Sequence, residues 1–254
     1  MKKKKLLLPI SLLLILFLIV CIAFAIFSKT DSQKLIDAIE QGETQKVEQL
    51  LEDGINPNAT NIKPNVFWSF LETTPQTPLA VACRKGDLGM VELLLKYGAT
   101  AEYIQGTGWS PLRETLFYYH PDDVEVVKLL LKSGADSNIS EDELPVFVAA
   151  DMVPKVYDSS KQNGTVFAGG YDEKTAKGIT EIVMILLDER SVNAISKSGE
   201  TLLIKAVKKE NVYLANYLIT QGCDATIKDA YGKTALDYAK ENGNDKIIEL
   251  LNGN

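Results

Sequence analysis

The chain has 254 residues, 46% hydrophobic and 24% charged, with three Cys and one His. That apolar fraction excludes a disordered chain, three Cys make no disulfide framework, and the lone His120 leaves no zinc site of several His and no evident catalytic triad. The formal net charge is −7, but Lys2 to Lys5 and Lys29 precede the first acid, Asp31; the 22 basic and 34 acidic residues that follow leave −12, which disfavours binding to phosphate backbones.

In chain order, residues 1–5 form a basic head and Leu6 to Phe27 run apolar for 22 residues, broken only by Pro9 and Ser11. At the helical rise this run spans roughly 33 Å, enough for a bilayer core. Lysines kept on the cytoplasmic side send the rest of the chain across the membrane. The run is long for a cleaved signal peptide and continues through Ile26-Phe27, so residues 6–27 read as an uncleaved signal anchor. The alternatives are cleavage after Ala23-Phe24-Ala25 and lipidation at Cys21, where Val20 occupies the place of a small residue.

The remainder, residues 28–252, repeats itself. A Leu pair followed by Gly and a small or polar tail appears at Leu50-Leu51-Glu52-Asp53-Gly54, Leu94-Leu95-Lys96-Tyr97-Gly98 and Leu130-Leu131-Lys132-Ser133-Gly134. It returns as Leu218-Ile219-Thr220-Gln221-Gly222 and, without its Gly, as Leu186-Leu187-Asp188-Glu189-Arg190. A second phrase precedes most copies: Thr77-Pro78-Leu79, Ser110-Pro111-Leu112, Thr201-Leu202-Leu203 and Thr234-Ala235-Leu236. Thr77 to Ser110 and Thr201 to Thr234 are each 33 residues. Thr or Ser before Pro makes a helix N-cap with Pro at the first helical position. The Gly after the Leu pair ends a second helix in the left-handed conformation. No such unit buries its apolar face alone, so neighbours must supply the core.

These phrases resemble the ankyrin repeat over about residues 31–252. The resemblance implies an all-α solenoid of about six helix-turn-helix units with hairpin loops, preceded by one N-terminal hydrophobic helix. The units fall at about 31–60, 61–103, 104–140, 141–196, 197–229 and 230–252. The first and last suit polar caps. The fourth carries an insert, 151–177, whose Gly164, Gly169 and Gly170 predict a mobile loop.

Catalytic and metal motifs are lacking. Gly232-Lys233-Thr234 resembles the end of a phosphate-binding loop, but its first Gly would fall at Ile227; a hairpin turn and a helix cap explain it. Asp122 and Asp123 read as a charge pair at a helix N-terminus, and His120 as a solvated turn residue. Cys83 and Cys223 occupy positions where the family has Ala and are expected as small core residues. Asn58, Asn138 and Asn163 open glycosylation sequons that matter only in a host that modifies exported proteins. No cofactor, metal or catalytic residue is expected, and the chain is expected not to be an enzyme.

The resemblance places partner contacts on hairpin tips and on the exposed face of the first helices, which together form a concave surface. Carried over by position, these are Thr74 and Gln76, with Arg84 and Lys85 on the helix that follows. The next unit offers Thr107, Trp109 and Arg113, Trp109 being the residue of the type most enriched at binding hot spots. The fifth unit offers Lys197, Glu200, Lys208 and Lys209, and the last Tyr231 and Lys233. Phe67, Trp68 and Phe70 form either a packed lid or a partner patch. The sequence therefore reads as a membrane-tethered, extracytoplasmic and monomeric module that binds a protein partner. The alternative is an exported immunity or inhibitor protein that neutralises a secreted toxin or enzyme.

Overall fold

The computed structural model describes residues 30–60, 76–102, 110–120, 122–137, 144–152, 156–157, 166–167 and 173–253. The apolar run 6–27 lies outside them, and among the described residues no helix is long and apolar enough to cross a membrane.

Twelve helices among the described residues form six pairs: α1 (Asp31–Glu40) with α2 (Thr44–Glu52), α3 (Pro78–Arg84) with α4 (Leu88–Lys96), α5 (Pro111–Phe117) with α6 (Asp123–Lys132), α7 (Pro145–Met152) with α8 (Glu173–Leu186), α9 (Leu202–Lys208) with α10 (Val212–Thr220), and α11 (Ala235–Asn242) with α12 (Asp245–Asn252). The first helices of the pairs stack in chain order, α1 on α3, α5, α7, α9 and α11. Behind them α4, α6, α8, α10 and α12 stack as a second row.

Local chemistry sets the helix ends. Thr77, Ser110 and Thr201 accept backbone N–H bonds from Ala80, Arg113 and Ile204 at 3.1–3.2 Å. Thr234 closes a capping box with Asp237. The second helices use Asp87, Asn211 and Asn244 for the same purpose. Four of them stop at a glycine of positive φ, namely Gly54, Gly98, Gly134 and Gly222. In the fourth unit, where that Gly is missing, a side-chain turn replaces it: Asp188 Oδ1 accepts from the Ser191 backbone N–H at 2.8 Å, and Ser191 Oγ accepts from that of Asp188 at 2.9 Å.

One continuous core runs from Leu35 to Ile247. The end units bury least behind the stack: α2 contributes only Val47 and Leu51, and α12 only Ile247, leaving polar outer faces that suit caps. Units are also tied by their tails. Asn58 Nδ2 donates to Gly98 O at 2.9 Å and its Oδ1 accepts from Thr100 N at 2.8 Å; Asn193 Oδ1 accepts from Asp224 N at 2.8 Å one period from the chain's end. Within the insert, α7 extends to Met152, β1 (Val156–Tyr157) pairs antiparallel with β2 (Val166–Phe167), and α8 begins at Glu173; Gly164, Gly169 and Gly170, on which the mobile-loop expectation rests, lie outside the described residues.

Candidate protein-binding face

The hairpin tips of the last two units share one geometry. Ser196 N donates to Glu200 O and Asp229 N to Lys233 O, each at 2.9 Å, and each turn closes through a glycine of positive φ, Gly199 and Gly232. A Cβ on Gly199 would lie 2.9 Å from the Ala230 Cβ, so the two tips touch and only Gly permits it.

Beneath them a charged network crosses three units. Lys205 on α9 is 6% exposed; its Nζ lies 2.5 Å from Asp151 Oδ1 at the end of α7 and 3.4 Å from Glu200 Oε2. Glu200 also accepts from Lys208 and, at 3.0 Å, from Ser198 Oγ. Burial pulls the Lys205 ammonium down, but Asp151 and Glu200 outweigh it and hold the group above the ordinary lysine range. Burial pushes Glu200 up, and its donors Lys208 and Ser198, with Lys205, bring it below the usual carboxylate range.

The network continues to α11. The ammonium groups of Lys208 and Lys233 lie 5.0 and 5.2 Å from the centroid of the Tyr238 ring. Its hydroxyl donates to Asp229 Oδ2 at 2.6 Å, a bond that pushes the phenol up to about 12. Asp229, 7% exposed, accepts through Oδ1 from the backbone of Tyr231 and Lys233, and Lys233 Nζ reaches Glu241 at 2.6 Å. The result is a fixed lattice from α7 to α11 in which the cations are partnered. Tyr231, 81% exposed, stands above it at the turn.

At the other end, Arg84 donates to Gln76 Oε1 at 2.9 Å and lies 3.3 Å from Glu40 Oε1. Lys85 donates to Glu40 O at 2.8 Å, and Lys209, at the same place in its unit, donates to Asp151 O at 3.2 Å. Both lysines thus satisfy the last carbonyls of the preceding first helix and staple unit to unit. Arg113 is half-buried on α5 and Lys197 is exposed in its turn. Thr74, Thr107 and Trp109 lie outside the described residues, as do Phe67, Trp68 and Phe70.

Sequence reasoning passed over Lys205, Tyr238 and Asp151. A signal for the first two exists: four residues after each capping Thr or Ser stand Val81, Glu114, Lys205 and Tyr238, so polar groups interrupt an otherwise apolar phrase. Asp151 has none, since α7 reaches it only in the folded stack.

Between the second and third units the structure refines two expectations. Asp122 and Asp123 do stand at the N-terminus of α6, but Asp123 is 0% exposed, and its Oδ2 accepts from the His120 backbone N–H. Burial pushes its carboxyl up to about 7. His120 stands in its turn with its side chain 35% exposed, but its ring also packs over Gly86, where a Cβ would lie 2.3 Å from the imidazole Cγ. Cys83 is buried as expected, and burial pushes its thiol up to about 12. Cys223 is only half-buried, donates to Val192 O at 3.2 Å, and is pushed up to about 11. Neither thiol supplies a thiolate nucleophile at neutral pH.

The family model for ankyrin repeats in three copies matches residues 35–141 and 174–254, skipping the insert. The chain belongs to the ankyrin-repeat family. Ankyrin-repeat protein OPG023 of cowpox virus is 28% identical over 174 residues, which cover 65% of this chain and 24% of the relative. The mask-1 ankyrin repeat and KH domain protein of Caenorhabditis elegans is 27% identical over 182 residues, 71% of this chain and 6% of the relative. The chain thus spans about a quarter or less of the length of these curated relatives. Among solved structures, a chain of the complex between the predatory endopeptidase Bd0816 of Bdellovibrio bacteriovorus and its immunity protein Bd3460 is 26% identical, with a TM-score of 0.58, covering 89% of this chain and 99% of that one. The human ASB11 ankyrin-repeat domain shares the fold at 20% identity and a TM-score of 0.59, over 95% of this chain and 92% of that one. Ankyrin repeats are generally a protein-binding scaffold without catalysis.

Proposed function

We propose that this chain is a membrane-tethered binding module. Residues 6–27 anchor it, the repeats lie outside the cytoplasm, and a protein partner docks across the first helices and hairpin tips. The observation that carries this reading is the fixed lattice under Tyr231: an exposed aromatic on a charge network already ordered before association, which lowers the entropic cost of binding. Gln76, Arg84 and Arg113 extend the same face toward the anchor, and the family pattern assigns Thr74, Thr107 and Trp109 to partner contact as well.

The likeness to the endopeptidase–immunity protein complex favours a second reading, in which the partner is an exported enzyme or toxin that the chain holds inactive. The net charge of −12 from Asp31 onward would steer a basic target, with an association rate that falls as salt rises.

A photoreactive residue at Tyr231 or Trp109 of the full-length chain in intact membranes tests both. We expect one protein captured from these sites and not from Lys246 on α12, and a loss of about 30-fold in affinity for Tyr231→Ala with unchanged melting. Capture from Lys246 alone, or none from Tyr231 in folded protein, overturns the assigned face. Enzymatic activity in the captured protein that falls on binding identifies the inhibitor reading. The mass of the recovered chain distinguishes a retained anchor from cleavage near Ala25.

A further inference from the structure

Five large apolar or aromatic side chains stand exposed among the described residues: Phe117, Tyr118, Ile195, Tyr213 and Tyr231. Only Phe117 and Tyr118 are consecutive. They are 47% and 45% exposed, and their rings meet edge to face with centroids 5.1 Å apart. Single exposed side chains of this kind are ordinary on a protein surface, whereas a joined pair makes a patch.

Phe117 also departs from a rule that the other units keep. It stands at the end of the first helix α5, where the other first helices carry charge: Glu40, Arg84, Asp151, Lys208 and Glu241. Each of those charges is in an ion pair, Glu40 with Arg84, Asp151 with Lys205, Lys208 with Glu200 and Glu241 with Lys233. The third unit alone puts an apolar ring where the stack elsewhere holds charge.

The turn beside the rings favours a cation. Tyr118 ends α5 and Asp122 precedes α6, so the two bound one turn. Asp122 is exposed, caps nothing with its side chain, and has its carboxylate in no ion pair with another described residue. At the ends of the neighbouring first helices the cations are already held: Arg84 by Gln76 and Glu40, Lys85 by the Glu40 carbonyl, and Lys205 and Lys209 by Asp151.

We infer that Phe117, Tyr118 and Asp122 form a docking site for a protein partner that presents an arginine flanked by apolar residues. A guanidinium stacks flat on an aromatic face and forks to a carboxylate, which an ammonium does less well. The apolar neighbours of that arginine cover the outer side of Phe117. This site is separate from Tyr231. The bonds from Lys85 to Glu40 O and from Lys209 to Asp151 O join helix C-termini, so the first helices run the same way. The aromatic pair thus lies at the end of those helices remote from the hairpin tips, and it goes beyond the face assigned to Tyr231.

A random peptide library panned on the full-length chain in detergent micelles, and in parallel on Phe117→Glu, tests the site. The variant installs the charge that Glu40 and Glu241 carry at the same place, so it should melt within about 2 °C of the unaltered chain. We expect peptides that the unaltered chain retains and the variant releases, enriched in arginine next to apolar residues. The variant is the more acidic chain, so such a loss cannot arise from charge alone. The commonest of these peptides, resynthesised, should bind about tenfold more weakly to Tyr118→Ser and to Asp122→Asn, and unchanged to Tyr213→Ser, which removes an exposed aromatic on α10. Replacing its arginine by lysine should weaken it several-fold. The same peptides from both chains, a pool without arginine, or an empty pool overturns the site. So does a melting loss beyond about 5 °C in Phe117→Glu, which would make the ring a packing group. Peptides that survive Phe117→Glu but are lost in Tyr231→Ala overturn this site and leave the hairpin-tip reading standing.

Discussion

Gly86 and Gly42 occupy the same turn in successive units, both with positive φ, at +64° and +70°. They differ in what surrounds them: nothing lies within 4 Å of a Cβ at Gly42, whereas at Gly86 the Cβ and Cγ of His120 are 2.5 and 2.3 Å away. Gly42→Ala should therefore cost only the backbone term, about 1 kcal/mol. Gly86→Ala should cost about 2–3 kcal/mol, because it also dislodges the imidazole. Urea unfolding of the two variants measures the difference, and equal losses would show that the ring moves freely. Glu210 takes the equivalent position in the fifth unit at φ 56° without any glycine, which places the backbone cost within what the stack tolerates.

Thr201 is 3% exposed, so its cap cannot be replaced by water. Thr201→Ala should destabilise by about 1–2 kcal/mol, while Thr201→Ser, which keeps the oxygen, should stay within a few tenths; thermal unfolding of both decides whether the hydroxyl or the methyl matters. Such caps are what the sequence displays most clearly. Thr77-Pro78, Ser110-Pro111 and Thr234 carry their function within three or four residues, and the helices start where those phrases place them. The face is less legible because its members come from different units. Lys85 and Lys209 look like free surface charges until the preceding helix ends beside them. Asp123 is the extreme case: it differs from Asp122 in nothing but which side of α6 the stack covers.

Across the molecule, each unit completes its neighbour rather than itself. Core, carbonyl staples, touching hairpin tips and the α7-to-α11 lattice all cross unit boundaries, so the binding face exists only when adjacent units are docked. The asparagine clamp between the first two units has a consequence for the chain's biogenesis. Asn58 opens a sequon, yet its amide nitrogen is committed to Gly98, forty residues further on. In a host that attaches glycans during export, the sugar would replace one hydrogen of the nitrogen whose other hydrogen serves the clamp, so the two crowd one atom. Modification is therefore favoured in the interval before the second unit emerges and closes over the first. A glycan at Asn58 would then mark chains that lost that race, and its occupancy, read as a mass increment, should rise when Thr77→Ala slows docking of the second unit. Glycan occupancy would thus serve as a stopwatch for the order in which the solenoid assembles.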